Sequence, residues 1–170
     1  EHLQKKVKIP EAISLSGNTD CYQPIERQLQ ITRALLQVFL DHGHPVSIIT
    51  KNALILRDLD ILEPLAKDRL VKVAISITTL DNELHHKMEP RTAAPAKRLK
   101  VVNELSRAGV PVMVMNAPLI PGLNDHEIPA ILKAASENGA RDAAYTMVRL
   151  NGAIADLFKD WIEKQYPLKA

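Results

Sequence analysis

Five short runs along the chain, residues 12–15, 46–49, 71–77, 110–115 and 143–148, are almost continuous in apolar and often β-branched side chains. Runs of this length and composition predict strands buried on both faces. Between them the apolar positions recur at helical spacing. Ile25, Leu29, Leu36, Phe39 and Leu40 share one face of a helix that Pro24 opens and Gly43 stops. Leu99, Val102 and Leu105 do the same over residues 95–108, ended by Gly109. Ile128, Ile131, Leu132 and Ala135 follow a cap at Asn124 or Asp125 and end near Gly139. Shorter helices are expected over residues 59–67 and 153–164, the second packed on the sheet through Phe158 and Trp161. The strand centres lie roughly 30 residues apart, the length of a βαβ unit. The pattern therefore predicts an α/β fold of five parallel strands with right-handed crossovers and covering helices.

In parallel α/β sheets, ligands bind beyond the carboxyl ends of the strands, where the loops share one mouth. The five exits here are Ser16-Gly17-Asn18-Thr19-Asp20, Thr50-Lys51-Asn52, Ser76 to Thr79, Asn116 to Gly122, and Thr146 to Arg149. Each carries hydrogen-bonding or charged groups, whereas the entrances offer mostly Lys, Gly and Pro. Ser, Thr, Asn and Asp at such places commonly just cap the next helix. All five exits together, with a Lys and an Arg among them, favour a ligand site.

With 170 residues, 46% of them hydrophobic, the chain can bury one sizeable core, and residues 1–170 are read as a single domain. The 22 Lys and Arg against 20 Asp and Glu are dispersed, so charge neither demands nor excludes nucleic acid. No apolar stretch approaches the ~20 residues that span a bilayer, and the first residues carry no secretory signal, so a cytoplasmic protein with no membrane partner is expected. The one cysteine, Cys21, can form no internal disulfide and cannot alone hold a metal, so no metal site is expected. The missing initiator Met leads us to expect a piece of a longer protein.

Certain residues occur in order that resemble a known family: Ser16 to Glu26, Ile49-Thr50-Lys51, Arg57-Asp58, Ser76-Ile77-Thr78, Met88-Glu89-Pro90-Arg91, Ala117 to Asp125, and Val148-Arg149-Leu150. The chain is similar to radical S-adenosylmethionine proteins related to spore photoproduct lyase, often labelled DNA repair photolyases. The resemblance implies a partial (βα) TIM-like barrel of about five strands with outer helices. It also implies that the intact parent is a lyase- or oxidoreductase-like enzyme. A 4Fe-4S cluster would there cleave S-adenosylmethionine to a 5′-deoxyadenosyl radical that takes hydrogen from an unknown substrate. Nucleic acid enters as a partner by family analogy only.

By the same resemblance, Ser16, Gly17, Thr19 and Asp20 would meet the methionyl amino group, in place of the commoner Gly-Gly-Glu. Lys51 and Ser76 would meet the carboxylate and ribose, and a lysine suits a carboxylate as a hydroxyl suits a ribose. Asn116, Pro118 and Ile120 would pack the adenine, with Arg149 beside it. Glu89 and Arg91 would form an ion pair across the mouth or contact substrate. The family's CxxxCxxC loop is absent here, so the chain alone is expected to be inactive. A missing βα unit would leave the edge of the first strand unpaired, open to dimerisation or as the border of an open sheet.

Other features admit plainer readings. His85-His86 reads as a solvated pair rather than a metal site, and His42-Gly43-His44 as a helix terminus. Cys21 reads as a small turn residue. The rival functions are an aldolase-like barrel with Lys51 as Schiff-base nucleophile, and a non-catalytic nucleotide-binding module.

Overall fold

The computed structural model describes residues 10–169. Five parallel strands form one open sheet in the order β1 (Ile13–Leu15), β2 (Val46–Thr50), β3 (Val71–Ser76), β4 (Val112–Leu119) and β5 (Asp142–Met147). Spatial order equals chain order, so every crossover steps the same way, as in a segment of a barrel. The register sets Ile48 beside Val73 and Val73 beside Val112. Alternation along the strands then assigns the two faces. Val46, Ile48, Val73, Ile75, Val112 and Val114 join Leu36, Leu62, Leu65, Val102, Leu105 and Ile131 of the helices in one core. Ile49, Ser76 and Met115 fall on the opposite face.

The helices are α1 (Glu26–Leu29), α2 (Ile31–Asp41), α3 (Leu59–Lys67), α4 (Asn82–Met88), α5 (Pro95–Arg107), α6 (Ile128–Glu137) and α7 (Ala153–Gln165). Gly43 and Gly109 end α2 and α5 with positive φ, as the pattern predicts. Asp81 caps α4 by accepting the Glu83 and Leu84 N–H groups. That helix, and the 3-10 turn Ala53–Asp58 capped by Asn52, go beyond the predicted set.

Several expectations need correction. Among the described residues burial on both faces holds for β3 alone; β1 and β5 there border the sheet and expose Ile13, Tyr145 and Met147. The single helix expected after Pro24 is two, broken at Gln30 (φ 51°), and Ile25 and Leu29 are exposed. The break has a cause in Glu26, whose buried carboxylate accepts the Thr32 and Arg33 N–H groups at 3.1 and 3.4 Å and so caps α2. Leu132 likewise points to solvent. His85 is buried rather than solvated, with Nε2 3.2 Å from Thr92 Oγ1, while His86 is exposed. Phe158 and Trp161 pack around Ile162, Leu84 and Ile120 in a second cluster.

Candidate functional site

All five strands end on one pocket of about 620 Å³. Its walls are Ser16 to Asp20 after β1, Ile49, Thr50 and Lys51 of β2, Ser76 of β3, Met115, Ala117 and Pro118 of β4, and Thr146 of β5. A volume of this order suits a cofactor-sized ligand.

The β1 exit is shaped by local bonds. Ser16 sits at φ 77°, a left-handed conformation that costs a non-glycine residue energy, and its Oγ accepts the Cys21 N–H at 2.9 Å. Asp20 then ties two exits together. Its Oδ1 accepts the Tyr22 N–H (2.9 Å) and the Thr50 hydroxyl (2.8 Å), and its Oδ2 accepts the Lys51 N–H (2.8 Å). Asn52 adds a bond from Nδ2 to the Tyr22 carbonyl at 2.7 Å.

The β3 and β4 exits are joined similarly. Ser76 Oγ donates to the Ala117 carbonyl at 3.2 Å. Asn124, wholly buried, accepts the Ile120 N–H at 2.7 Å and donates to the carbonyls of Thr78 and Pro118. It therefore stitches two loops and makes no side-chain cap for the following helix, contrary to the sequence expectation.

Charge enters the pocket through Lys51, whose ammonium pairs with the Glu89 carboxylate. The other Glu89 oxygen accepts from Arg98 at 2.7 Å, and Arg98 also donates to the carbonyls of Ser76 (2.8 Å) and Ala93 (2.6 Å). Arg98 is only 2% exposed, so these contacts replace its hydration. Burial pushes the Glu89 carboxyl up, but the Lys51 and Arg98 charges outweigh it and hold the group below its ordinary value. Two cations against one carboxylate leave this triad with one excess positive charge. Nearby, burial and then the Arg98 charge hold the His85 imidazole down.

A second polar cluster braces the first loop from behind. Asp58, fully buried, accepts from Tyr22, Arg33 and Arg57, and Arg57 bonds Glu26 at 2.9 Å. Burial, followed by the Asp58 charge, pushes the Tyr22 phenol far up, so it serves as a fixed donor. Cys21 is half-buried and burial raises its thiol as well.

Of the residues expected from sequence, Ser16, Gly17, Thr19, Asp20, Lys51, Ser76 and Pro118 meet on the pocket wall. Asn116 does not: it lies between Met115 and Ala117, so the alternation of the strand turns its side chain to the other face. There it is buried with neither amide atom partnered among the described residues. Ile120 lines a separate apolar cavity with Phe158 and Trp161, and Arg149 is exposed beyond the wall. The expected Glu89–Arg91 pair is absent among the described residues, because Lys51 and Arg98 take both Glu89 oxygens. Sequence reasoning named Thr50 and Thr78 only as members of the strand exits and missed Met115 and Arg98; an Arg three residues after the α5 start at Pro95, on the apolar face, was the available signal.

The family model described as the Radical SAM superfamily matches residues 1–135. An uncharacterized protein of Mycobacterium tuberculosis is 31% identical over 159 residues, covering 92% of this chain and 47% of that protein. One of Methanocaldococcus jannaschii is 28% identical over 165 residues, covering 97% of this chain and 60% of its own length. The chain thus spans about half the length of the curated relatives it matches. Among solved structures, a spore photoproduct lyase variant with bound AdoMet and dinucleoside spore photoproduct superposes with TM-score 0.64 at 17% identity, over 93% of this chain and 46% of that one. Streptococcus suis SuiB bound to S-adenosylmethionine superposes with TM-score 0.53 at 16% identity, over 78% and 33%.

Proposed function

The chain belongs to the Radical SAM superfamily, and from that premise we propose that it forms, as one domain, the S-adenosylmethionine-binding part of a radical S-adenosylmethionine enzyme. The observation that carries the reading is the convergence of five strand exits on one pocket lined by Lys51, of the positively charged triad, and by Asp20. S-adenosylmethionine has a zwitterionic head, and the pocket offers a carboxylate at Asp20 and an ammonium at Lys51. A ligand carboxylate beside Lys51 would neutralise the excess charge of the Lys51–Glu89–Arg98 triad. The Asp20 side, with the Ser16-Gly17-Asn18-Thr19 backbone, suits the ligand ammonium. Ser76 suits the ribose, and Met115, Ala117 and Pro118 give an apolar surface for the adenine. When bound, S-adenosylmethionine supplies the radical chemistry of the family. The part played by these residues is to bind, orient and exclude solvent.

A 4Fe-4S cluster does not fit these residues. The sequence holds one cysteine, and no group of three or more His, Cys, Asp or Glu side chains among the described residues is placed to hold a metal. Its thiolates would have to come from elsewhere in the whole enzyme. Lys51 is ion-paired with Glu89, unlike the solitary lysine in apolar surroundings that a Schiff-base mechanism uses. Among the described residues no helix is long and apolar enough to cross a membrane. We place the enzyme in the cytoplasm, where the Cys21 thiol stays reduced. The β1 edge, paired with β2 alone among the described residues, is the proposed contact of a dimer.

Calorimetry without iron or reductant tests the reading. S-adenosylmethionine should bind the intact protein, and Lys51→Met should weaken it about tenfold. Decarboxylated S-adenosylmethionine should bind both proteins alike. A well-folded protein that binds neither compound sinks the proposal, and so does trapping of a carbonyl compound on Lys51 by borohydride.

A further inference from the structure

Resting on the reading that the pocket holds S-adenosylmethionine, we propose that Arg27, Arg91 and Lys97 form a docking cleft for a phosphate group of the substrate. The three come from α1, the loop after α4, and the start of α5, yet they line one cleft of about 560 Å³. No carboxylate stands in its walls. Among the described residues none of the three makes an ion pair, whereas Lys51, Arg33, Arg57 and Arg98 all do. Other surface cations are also solitary; these three are distinguished by sharing a cavity.

Position gives the cleft its meaning. Arg91 and Thr92 also wall a neighbouring cavity of about 460 Å³ that contains Lys51, Glu89 and Pro118. Lys51 and Pro118 in turn wall the cofactor pocket. The three cavities therefore adjoin in series, and a molecule anchored at the cationic end can extend toward the cofactor. Glu89 cannot discharge Arg91, because both its oxygens are engaged by Lys51 and Arg98.

The ligand class follows from charge and shape. One carboxylate would leave two of three cations unsatisfied. A phosphomonoester, with nearly two charges and three acceptor oxygens, or successive phosphodiesters, would balance them. Two guanidinium forks favour the same oxyanions through paired hydrogen bonds. The uncapped end of α5 adds partial positive charge to the wall, while the three side chains make the site.

The test measures binding to the intact protein of inorganic phosphate, a single-stranded hexanucleotide, and the hexanucleotide's uncharged methylphosphonate analogue, alongside S-adenosylmethionine. If the phosphate belongs to a nucleotide chain, the hexanucleotide binds and the neutral analogue does not. Arg27→Gln, Arg91→Gln and Lys97→Gln then each weaken it about tenfold, and the log–log salt slope falls by about 0.7 per cation removed. If it belongs to a small phosphorylated substrate, inorganic phosphate shows the same dependence on the variants and the hexanucleotide gains nothing over it. In both cases S-adenosylmethionine affinity holds within twofold. The proposal is overturned if no probe responds to the three variants, or if Lys133→Gln on α6 weakens binding as much as they do. Loss of S-adenosylmethionine binding with a responsive phosphate cleft would refute the cofactor reading instead.

Discussion

Replacing Arg98 by methionine isolates what the charged triad contributes. The substitution keeps an unbranched apolar stem but leaves the Glu89 carboxylate, 9% exposed, with Lys51 as its one remaining cation and the Thr78 hydroxyl as its neutral donor. It also strands the carbonyls of Ser76 and Ala93, which lie at 2.8 and 2.6 Å from the guanidinium. Removing one partner of a buried pair typically costs about 3–5 kcal/mol, against a total stability of roughly 5–15 kcal/mol. For a domain of this size each kcal/mol lowers Tm by roughly 2–4 °C, so a fall of roughly 6–20 °C is expected by calorimetry. The double variant Arg98→Met with Glu89→Leu should recover at least half of that loss, since no carboxylate is then left buried. The pH dependence supplies a sign. In the wild type Glu89 titrates below its ordinary value of 4.5. Its stabilisation is therefore present above pH 4.5 and is lost as pH falls through the folded-state value. Without Arg98, burial is opposed by one cation fewer, the carboxyl titrates higher, and the deficit of the variant should shrink on acidification. A loss below about 1 kcal/mol, or strict additivity in the double variant, would refute the account.

Two further perturbations test other parts of the fold. His85 titrates below 6.5 in the folded state, so the unfolded chain binds the extra proton and stability should fall as pH drops below 6.5; His85→Gln should flatten that limb in urea titrations. Gly139→Ala should cost about 2–3 kcal/mol in the same assay, because φ is 92° and the new Cβ would sit 2.3 Å from Ser106 Oγ. Trimming Ser106 to Ala as well should return only part, since the backbone strain remains.

The sheet was legible in the sequence because each strand is a local run, and apolar runs of that kind need no distant partner to be recognised. What escaped depends on pairing across the chain. Whether β5 is central or peripheral is decided by which strands exist to flank it, and its exposed Tyr145 and Met147 look the same in sequence as buried ones. The break at Gln30 follows from Glu26 turning back onto α2 under the hold of Arg57, 31 residues away. Glu89 was paired in expectation with Arg91, two residues on. Its actual partners are 9 and 38 residues distant, and extended separation gives no periodic signal. Asn116 differs for a simpler reason: the motif that names it says nothing of side-chain direction, and the strand alternation points its side chain away from the pocket.

The same long-range pairings explain why the pocket can be ready before a ligand arrives. Lys51 is fixed at both ends, its N–H on Asp20 and its ammonium on Glu89. The β1 exit, despite the unfavourable φ of Ser16, is held by Asp20 to β2 and by Asn52 to the Tyr22 carbonyl. Tyr22 is in turn fixed to Asp58, which two arginines neutralise. Strain at one loop is thus offset by charged contacts in neighbouring elements, outside the pocket wall. A ligand meeting these groups would lose little freedom in ordering them, so more of its contact energy would appear as affinity. The triad adds direction to that readiness, because the pocket wall carries the Lys51 ammonium and the Asp20 carboxylate as separate charged groups. A zwitterionic head group would therefore enter in one orientation, which would fix where the remainder of the molecule extends along the strand ends.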